Sequence, residues 1–430
     1  MTYAERLKKR RRERKTEEKN NSIKDMIVDT KKRYAYGTDE NREFLNKGAE
    51  RLLEFGRRFP APDGSSYYLL GDGTPDRDHP RETWITSRMV HVYSVASTRE
   101  SSRERATGYK ELAAAGLKGL TGALHDDTNG GWYAGIGPDG VTLPGKHCYA
   151  HAFVILAASS ACRAGIVGAK ELLDDALRVY DSFFWDEEEG LSRDNWDTAF
   201  SVCDDYRGLN AVMHTVEAFL AASKIEGHDH LRKRAGRIIE RVIGFAREND
   251  FRLPEHYTRE WVPDLDVNRD RPDDPFKPYG ATPGHGIEWA RLIAEYAQTS
   301  VVDRKKLTDE AESLYKRAVA DAWNVDGAEG IVYTTDWDGT PVVHDRMHWT
   351  LAEAINTSVT LLGITGREGY ARDYAAFLEY LDEKVLDHST GSWYHQLDRS
   401  NRLLETVWPG KPDIYHAYQA MIIPYGPLFI

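Results

Sequence analysis

Apolar residues recur at three- and four-residue spacing through segment after segment of this chain. "GYKELAAAGLKGLTGAL", "HAFVILAASSACRAG", "LNAVMHTVEAFLAASKI", "WTLAEAINTSVTLLGI" and "EGYARDYAAFLEYLDEKVL" all show it. That spacing lays one apolar stripe along a helix, whereas the long alternating patterns of strands are scarce. Short turns rich in Gly, Asp and Trp separate the segments: "DDTNGGWYAG" at 126–135, "DEEEGLSRDNWD" at 186–197, "NVDGAEGIVYTTDWDG" at 324–339 and "DHSTGSWYHQLD" at 387–398. From Trp132 to Leu191, and again from Val332 to Trp393, is about 60 residues, a repeat that suits helical hairpins. Roughly six such pairs fit the chain. The predicted fold is therefore all-α, an (α/α)6 barrel with inner-helix N-termini and linking loops around one pocket. An open helical solenoid is the competing architecture. Between His256 and Ala281 the spacing stretches, and "TREWVPDLDVNRDRPDDPFKPYGA" reads as a long ordered loop over one face. No Pro- or Ser-rich linker divides the chain, so 41–430 reads as one domain and 1–40 as a basic N-terminal arm.

Charge narrows the partners. The 430 residues carry a net charge of −12, which argues against nucleic acid. The basic run "RLKKRRRERK" from Arg6 to Lys15 reads as part of a solvated arm. No stretch approaches the ~20 apolar residues of a membrane span, and no apolar segment follows the basic start as in a secretory signal. Cys148, Cys162 and Cys203 make no disulfide framework. A cytoplasmic protein without membrane or nucleic-acid partners is expected, its number of subunits left open.

Three motifs fail on context. "GIGPDG" matches G-x-G-x-x-G at Gly135, Gly137 and Gly140, but Pro144 blocks the helix a dinucleotide site needs. "GVTLPGKH" approaches a phosphate loop, with His147 where Ser or Thr should hold the metal. "HDRMH" spaces His344 and His348 four apart without the Glu of H-E-x-x-H, so no metal site is assigned.

Polar residues stand where buried helices should be apolar. In "PYGATPGHGIEWARL", Thr282 reads as an N-cap and Pro283 as the first helical position. His285 then falls in the first turn, where the positive end of the dipole favours a neutral ring. Glu288 follows three residues on. "LNAVMHTVEAF" carries Asn210, His214 and Glu217 along one face. "WITSRMVHVYSVA" carries Arg88 and His91, "HWTLAEAI" Trp349 and Glu353, and "WPGKPDIYHAYQA" Lys411, Tyr415 and His416. One stripe is a satisfied buried pair; five near helix starts point to a shared polar cavity, with Trp and Tyr to stack on a sugar.

These segments, together with "YAHAFVILAASSA" and "NRDRPDDPFKPYGATPGHGIEWARL", resemble the N-acylglucosamine 2-epimerase family, most closely its aldose–ketose isomerase branch. The likeness runs from about Thr86 to the C-terminus. It implies an (α/α)6 barrel working without metal or cofactor on a free monosaccharide, with His285 and His416 as the catalytic pair. Arg88, Tyr149, Asn210, Met213, His214, Glu288, Trp349, Glu353 and Trp393 would line the pocket. Lys411 and Pro412 match the isomerase form of "WPGKPDxYH". The expected chemistry is mannose–fructose interconversion through a cis-enediol. His416 would move the C2/C1 proton and His285, oriented by Glu288, would open the ring, with Arg88 and His214 on O1 and O2. A sulfoquinovose isomerase, with Arg269, Arg271 or Lys277 reaching the sulfonate, or a 2-epimerase is the alternative within the family. Outside it stand a glycoside hydrolase using two of Glu217, Glu288 and Glu353, and a binding protein without turnover.

Overall fold

The computed structural model describes residues 31–299 and 303–426, so the basic run at 6–15 lies outside the described residues. Twelve α-helices of eight or more residues occupy them. They are α1 (Asp39–Gly56), α2 (Thr83–Arg99), α3 (Arg103–Thr121), α4 (Cys148–Arg163), α5 (Ala169–Val179) and α6 (Leu209–Ala222), then α7 (His230–Glu248), α8 (Pro283–Thr299), α9 (Arg304–Ala322), α10 (His348–Thr365), α11 (Glu368–Tyr380) and α12 (Tyr415–Ile422).

Two kinds of sequence build two layers. Helices α2, α4, α6, α8, α10 and α12 are buried around almost their whole circumference; α4 is covered from Cys148 to Ala161 apart from Tyr149. The others are amphipathic: α7 buries Leu231, Ala235, Ile238, Ile239, Val242, Ile243 and Ala246 on one stripe and leaves the rest polar. The buried helices pack in the cyclic order α2–α4–α6–α8–α10–α12–α2, and the amphipathic ones pack outside them, α1 against α12. The ring is closed. It is the (α/α)6 barrel, and the open solenoid is excluded. None of the described helices is long and apolar enough to cross a membrane.

Short ribbons staple the ring at one end, a regularity the helical pattern does not announce. The strand entering each inner helix pairs with the next unit: Arg81–Glu82 before α2 with Gly135–Gly137, and Lys146–His147 before α4 with Asn195–Trp196. Arg207–Gly208 before α6 pairs with His256–Tyr257, Ala281 before α8 bridges Thr335, and Arg346–Met347 before α10 pairs with Gln396–Leu397. Ahead of α12, Lys411 N–H donates to the Leu69 carbonyl at 2.8 Å and joins the last unit to the first. Each inner helix therefore starts from a fixed point on the same face. The glycines of "GIGPDG" make the hairpin Gly135–Gly137/Gly140–Leu143.

The 60-residue repeat is a D-x-x-x-G turn used four times. Asp126, Asp186, Asp326 and Asp387 each accept from turn amides, and the glycine four residues later takes a positive φ: Gly130 80°, Gly190 67°, Gly330 108° and Gly391 83°. A cation from the following segment pins each carboxylate: Lys146 at 2.8 Å, Arg193 at 2.8 Å, Arg346 at 2.7 Å, and Lys411 on Asp387. Lys411 thus belongs to a turn and not to the pocket. Asp387→Ala would strand the buried Lys411 ammonium, and loss of one partner of such a pair costs ~3–5 kcal/mol. Denaturant titration should show that loss, largely recovered in Asp387→Leu/Lys411→Met.

Burial pushes these four carboxyls up, but the turn amides and cations outweigh it. Asp326 sits at about 2, and Asp126, Asp186 and Asp387 lie below the usual range. A carboxylate depressed in the fold stabilises fully above its unfolded value, near ~3.9. That stability is lost as pH falls through the folded value. Acid unfolding followed by circular dichroism should therefore begin below about pH 4 and steepen toward about pH 2.

Candidate active site

All six inner helices begin at one pocket. Its lining includes Trp84 and Arg88 of α2, Tyr149 of α4, Asn210 and His214 of α6, His285 and Glu288 of α8, and His348 and Trp349 of α10. His416 of α12 joins them with Pro412 and Asp413 just before it. The long 256–281 loop supplies Pro275, Phe276 and Pro278 at the mouth, and Tyr333, His395 and Trp408 complete the wall. The pocket encloses about 620 Å³ of non-protein space, part of it open to solvent, within the range of small-molecule sites. Six helix N-termini aimed at one cavity favour negative charge developing on a bound ligand.

The stretch "TPGHG" opens α8 with Pro283 at its first position. Thr282 caps with its backbone, not its side chain: its carbonyl accepts from His285 and Gly286 N–H at 2.9 and 3.2 Å, while Oγ1 has no partner. Gly284 is small because a Cβ there would lie 2.7 Å from the Trp349 ring. That close approach sets the Trp349 ring 4.8 Å from the His285 ring.

Three histidines share one construction. His285 Nδ1–H donates to Glu255 Oε2 at 3.0 Å, His416 Nδ1–H to Glu353 Oε1 at 3.0 Å, and His214 Nδ1–H to Glu217 Oε2 at 3.2 Å. A carboxylate only accepts, so each proton sits on Nδ1 and each Nε2 is left with a lone pair. None of these Nε2 atoms has a protein partner among the described residues. Trp349 lies between the catalytic candidates, its ring 6.0 Å from that of His416. Burial holds His214 down at about 4 and His348 at about 3, so both rings are neutral near pH 7.

Several assignments change. Glu255, not Glu288, orients His285. Glu288 is fully buried, both its oxygens lack hydrogen-bond partners, and burial followed by the Glu353 charge holds it well above the usual carboxylate range. Glu353 stands behind His416 and does not line the pocket. Met213 does not line it either; one residue from His214, it points about 100° away into the apolar core. Trp393 bridges Leu386 in the last turn and packs 6.4 Å behind His348. Arg88 does line the pocket, donating to Asp413 Oδ2 and the Tyr149 hydroxyl, both at 2.8 Å. His344 and His348 do not share a helix: His344 pairs with Asp326 at 2.8 Å, and the His348 ring stacks on His395 at 3.7 Å.

Of the carboxylates offered to a hydrolase, Glu217 and Glu353 stand behind histidines and only Glu288 reaches the pocket wall, so no facing pair is present among the described residues and that assignment fails. Ligand atoms of His214, Glu217 and Glu288, and of Glu288, Glu353 and His416, lie within 4.8 Å of one another. A metal could span such a set, but these carboxylates already surround the Arg291 guanidinium, 2.8 Å from Glu353 and 3.6 Å from Glu288.

Comparison with known proteins places this chain in a family. Residues 64–420 match the sequence profile of the N-acylglucosamine 2-epimerase (GlcNAc 2-epimerase) family, and the chain belongs to that family. Within it, the chain is 41% identical over 391 residues to a D-mannose isomerase of Thermobifida fusca, spanning 90% of this chain and 95% of the relative. It is 42% identical over 352 residues to a D-mannose isomerase of Pseudomonas cannabina pv. alisalensis, spanning 80% and 83%. A crystal structure of a D-mannose isomerase superposes with a TM-score of 0.82 at 25% identity, covering 90% of this chain and 98% of that one.

Proposed function

We propose that this protein is an aldose–ketose isomerase that interconverts D-mannose and D-fructose through a cis-enediol, using histidines as acid and base. The observation that carries this reading is the pair of His285 and His416 in one pocket, each with a carboxylate on Nδ1 and a free Nε2. In the forward direction His285 opens the ring. His416 Nε2 takes the C2 proton, the electron pair forms the C1–C2 double bond, and the C1 carbonyl electrons go to O1, which takes a proton. The same imidazolium then returns its proton to C1 while the C2 hydroxyl becomes the ketone, its released proton replacing the one taken up at O1. Arg88 donates to the oxygen on which charge develops, under the converging helix N-termini, and His214 Nε2 accepts a hydrogen bond from a sugar hydroxyl.

The lining favours an uncharged sugar over a sulfonated one. Arg88 is the one cationic side chain among the described lining residues, and Asp413 already pairs with it. Lys277 stacks 3.6 Å over the Tyr206 ring, Arg269 pairs with Asp266 at 2.8 Å and Arg271 with Asp274 at 3.3 Å; none of the three lines the pocket.

The test is incubation in D2O with mannose, glucose, sulfoquinovose and N-acetylmannosamine, products resolved by NMR. Mannose should give fructose carrying deuterium at C1, and the reverse reaction should place it at C2 of mannose. EDTA should leave the rate unchanged. Full retention of substrate hydrogen, with activity lost to EDTA and restored by Mg²⁺ or Mn²⁺, would replace the enediol route by hydride transfer.

A further inference from the structure

Beneath the pocket the inner helices carry a second tier of polar groups. Three of them place a pocket residue one turn above a buried partner: His214 above Glu217 on α6, Glu288 above Arg291 on α8, and His416 above Gln419 on α12. Arg291 stands at the centre. Its Nε donates to Glu353 Oε2 at 2.8 Å and its Nη1 to Glu295 Oε1 at 3.4 Å. Its Nη2 makes no hydrogen bond and lies 3.6 Å from Glu288 Oε1 and 3.9 Å from Glu217 Oε1. Glu353 is the acceptor for His416, and Glu217 is the acceptor for His214, for Gln419 Nε2 at 3.3 Å and for the Tyr415 hydroxyl. One guanidinium therefore touches the carboxylates behind two of the three carboxylate-paired histidines of the pocket. The His285–Glu255 pair lies outside this cluster.

We infer that Arg291 is a positioning residue for the isomerisation: it holds Glu217 and Glu353 ionised and in place, so that His214 and His416 each turn a basic Nε2 toward the sugar. The role rests on the isomerase reading above. Four buried glutamates around one arginine cannot all stay charged. Burial, then the Glu353 charge, holds Glu288 well above the usual carboxylate range, and burial raises Glu295 to about 7. Glu217 and Glu353 lie below the usual range although burial opposes it. The His214 hydrogen bond and then Arg291 lower Glu217, while Arg291 and then His416 lower Glu353. The two ionised members are the two that orient histidines.

Without the guanidinium, Glu353 would take up a proton and donate it to His416 Nδ1. The ring proton would then move to Nε2, and the base facing C2 would be gone. Other groups facing the cluster do not supply the missing positive charge. Gln419 and Tyr415 on α12 and Asn356 on α10 are uncharged donors, and burial holds His91 of α2, in the cavity beneath Arg291, down at about 4. Lys224 also lines that cavity, and its charge acts on Glu295.

Arg291→Gln removes the charge and keeps an amide donor; Arg291→Lys keeps the charge and loses the fork. Arg291→Gln should lower kcat by roughly 10–100-fold, as loss of an orienting partner does elsewhere, with KM within about threefold. The acid limb of its kcat profile should move to higher pH by about one unit or more, because uncompensated carboxylates hold their protons more tightly. Arg291→Lys should move it less. Nitrogen-15 NMR of the histidines should show the Nδ1–H form of His214 or His416 lost in Arg291→Gln and kept at His285. An unmoved acid limb with all three tautomers intact in folded protein would overturn the role, whatever the loss of stability. If Arg291→Gln does not fold, Arg291→Met/Glu295→Leu, which removes one buried charge of each sign, decides: all three Nδ1–H forms intact overturns the role, and loss at His214 or His416 supports it. The NMR arm needs no turnover. Wild-type protein that leaves mannose unconverted sinks the isomerase reading, whereas unchanged tautomers sink the role of Arg291.

Discussion

His416→Ala is expected to remove turnover by roughly 10²–10⁴-fold, the usual contribution of a positioned acid–base group. The loss should reach or exceed the upper end, because one imidazole both takes the proton from C2 and delivers it to C1. Binding should suffer less: Arg88, Tyr149, Asn210 and Trp349 remain in the pocket lining. The fold should survive, since Glu353 keeps its Arg291 partner at 2.8 Å after the imidazole is gone. The measurements are kcat and KM on mannose, deuterium exchange at C2, and a melting curve as control. Retention of more than a tenth of the wild-type rate would remove His416 from proton transfer.

His285→Ala should be the other large loss, and its size should depend on the substrate. If His285 opens the ring, the variant loses roughly 10²–10⁴-fold on cyclic mannose and far less on glyceraldehyde, which is too short to close a ring. Glu255→Ala should reproduce the same selectivity in weaker form, because it frees the His285 tautomer without deleting the ring. Equal losses on cyclic and acyclic substrates would put His285 into enolisation itself.

The sequence carried what is local. Three- and four-residue periodicity announced the helices, the Gly and Asp of the turns announced the repeat, and Pro283 fixed where α8 starts. A histidine just inside such a start faces the pocket by helix geometry alone. What comes from across the ring was not legible. Glu255 sits 30 residues before His285 beside a two-residue strand, and only the ribbon between Arg207–Gly208 and His256–Tyr257 brings it near α8. Arg291 stood in plain view one turn past Glu288, but its value depends on glutamates from α6 and α10. Met213 and Trp393 were misplaced for the opposite reason. Met213 is next to His214, and a step of about 100° along the helix sends its side chain into the core, while Trp393 sits in the last turn, where its bridge to Leu386 holds it behind His348. His348 and His395 were missed as pocket residues because they meet only when the last turn folds over α10.

The helix that closes the ring is also the one that bears His416. A ribosome releases the twelve described helices in order, so α12 follows the other eleven, with only eight residues to bridge α10, α1 and α2. Until it docks, the five earlier N-termini face an unfinished circle, and Glu353 has no imidazole to orient. Under the proposed mechanism, chemistry at C2 begins only once α12 has docked, and a chain halted before α12 holds the pocket without the base that acts at C2. Appearance of fructose would then serve as a clock for the docking of α12, timed by the substrate itself.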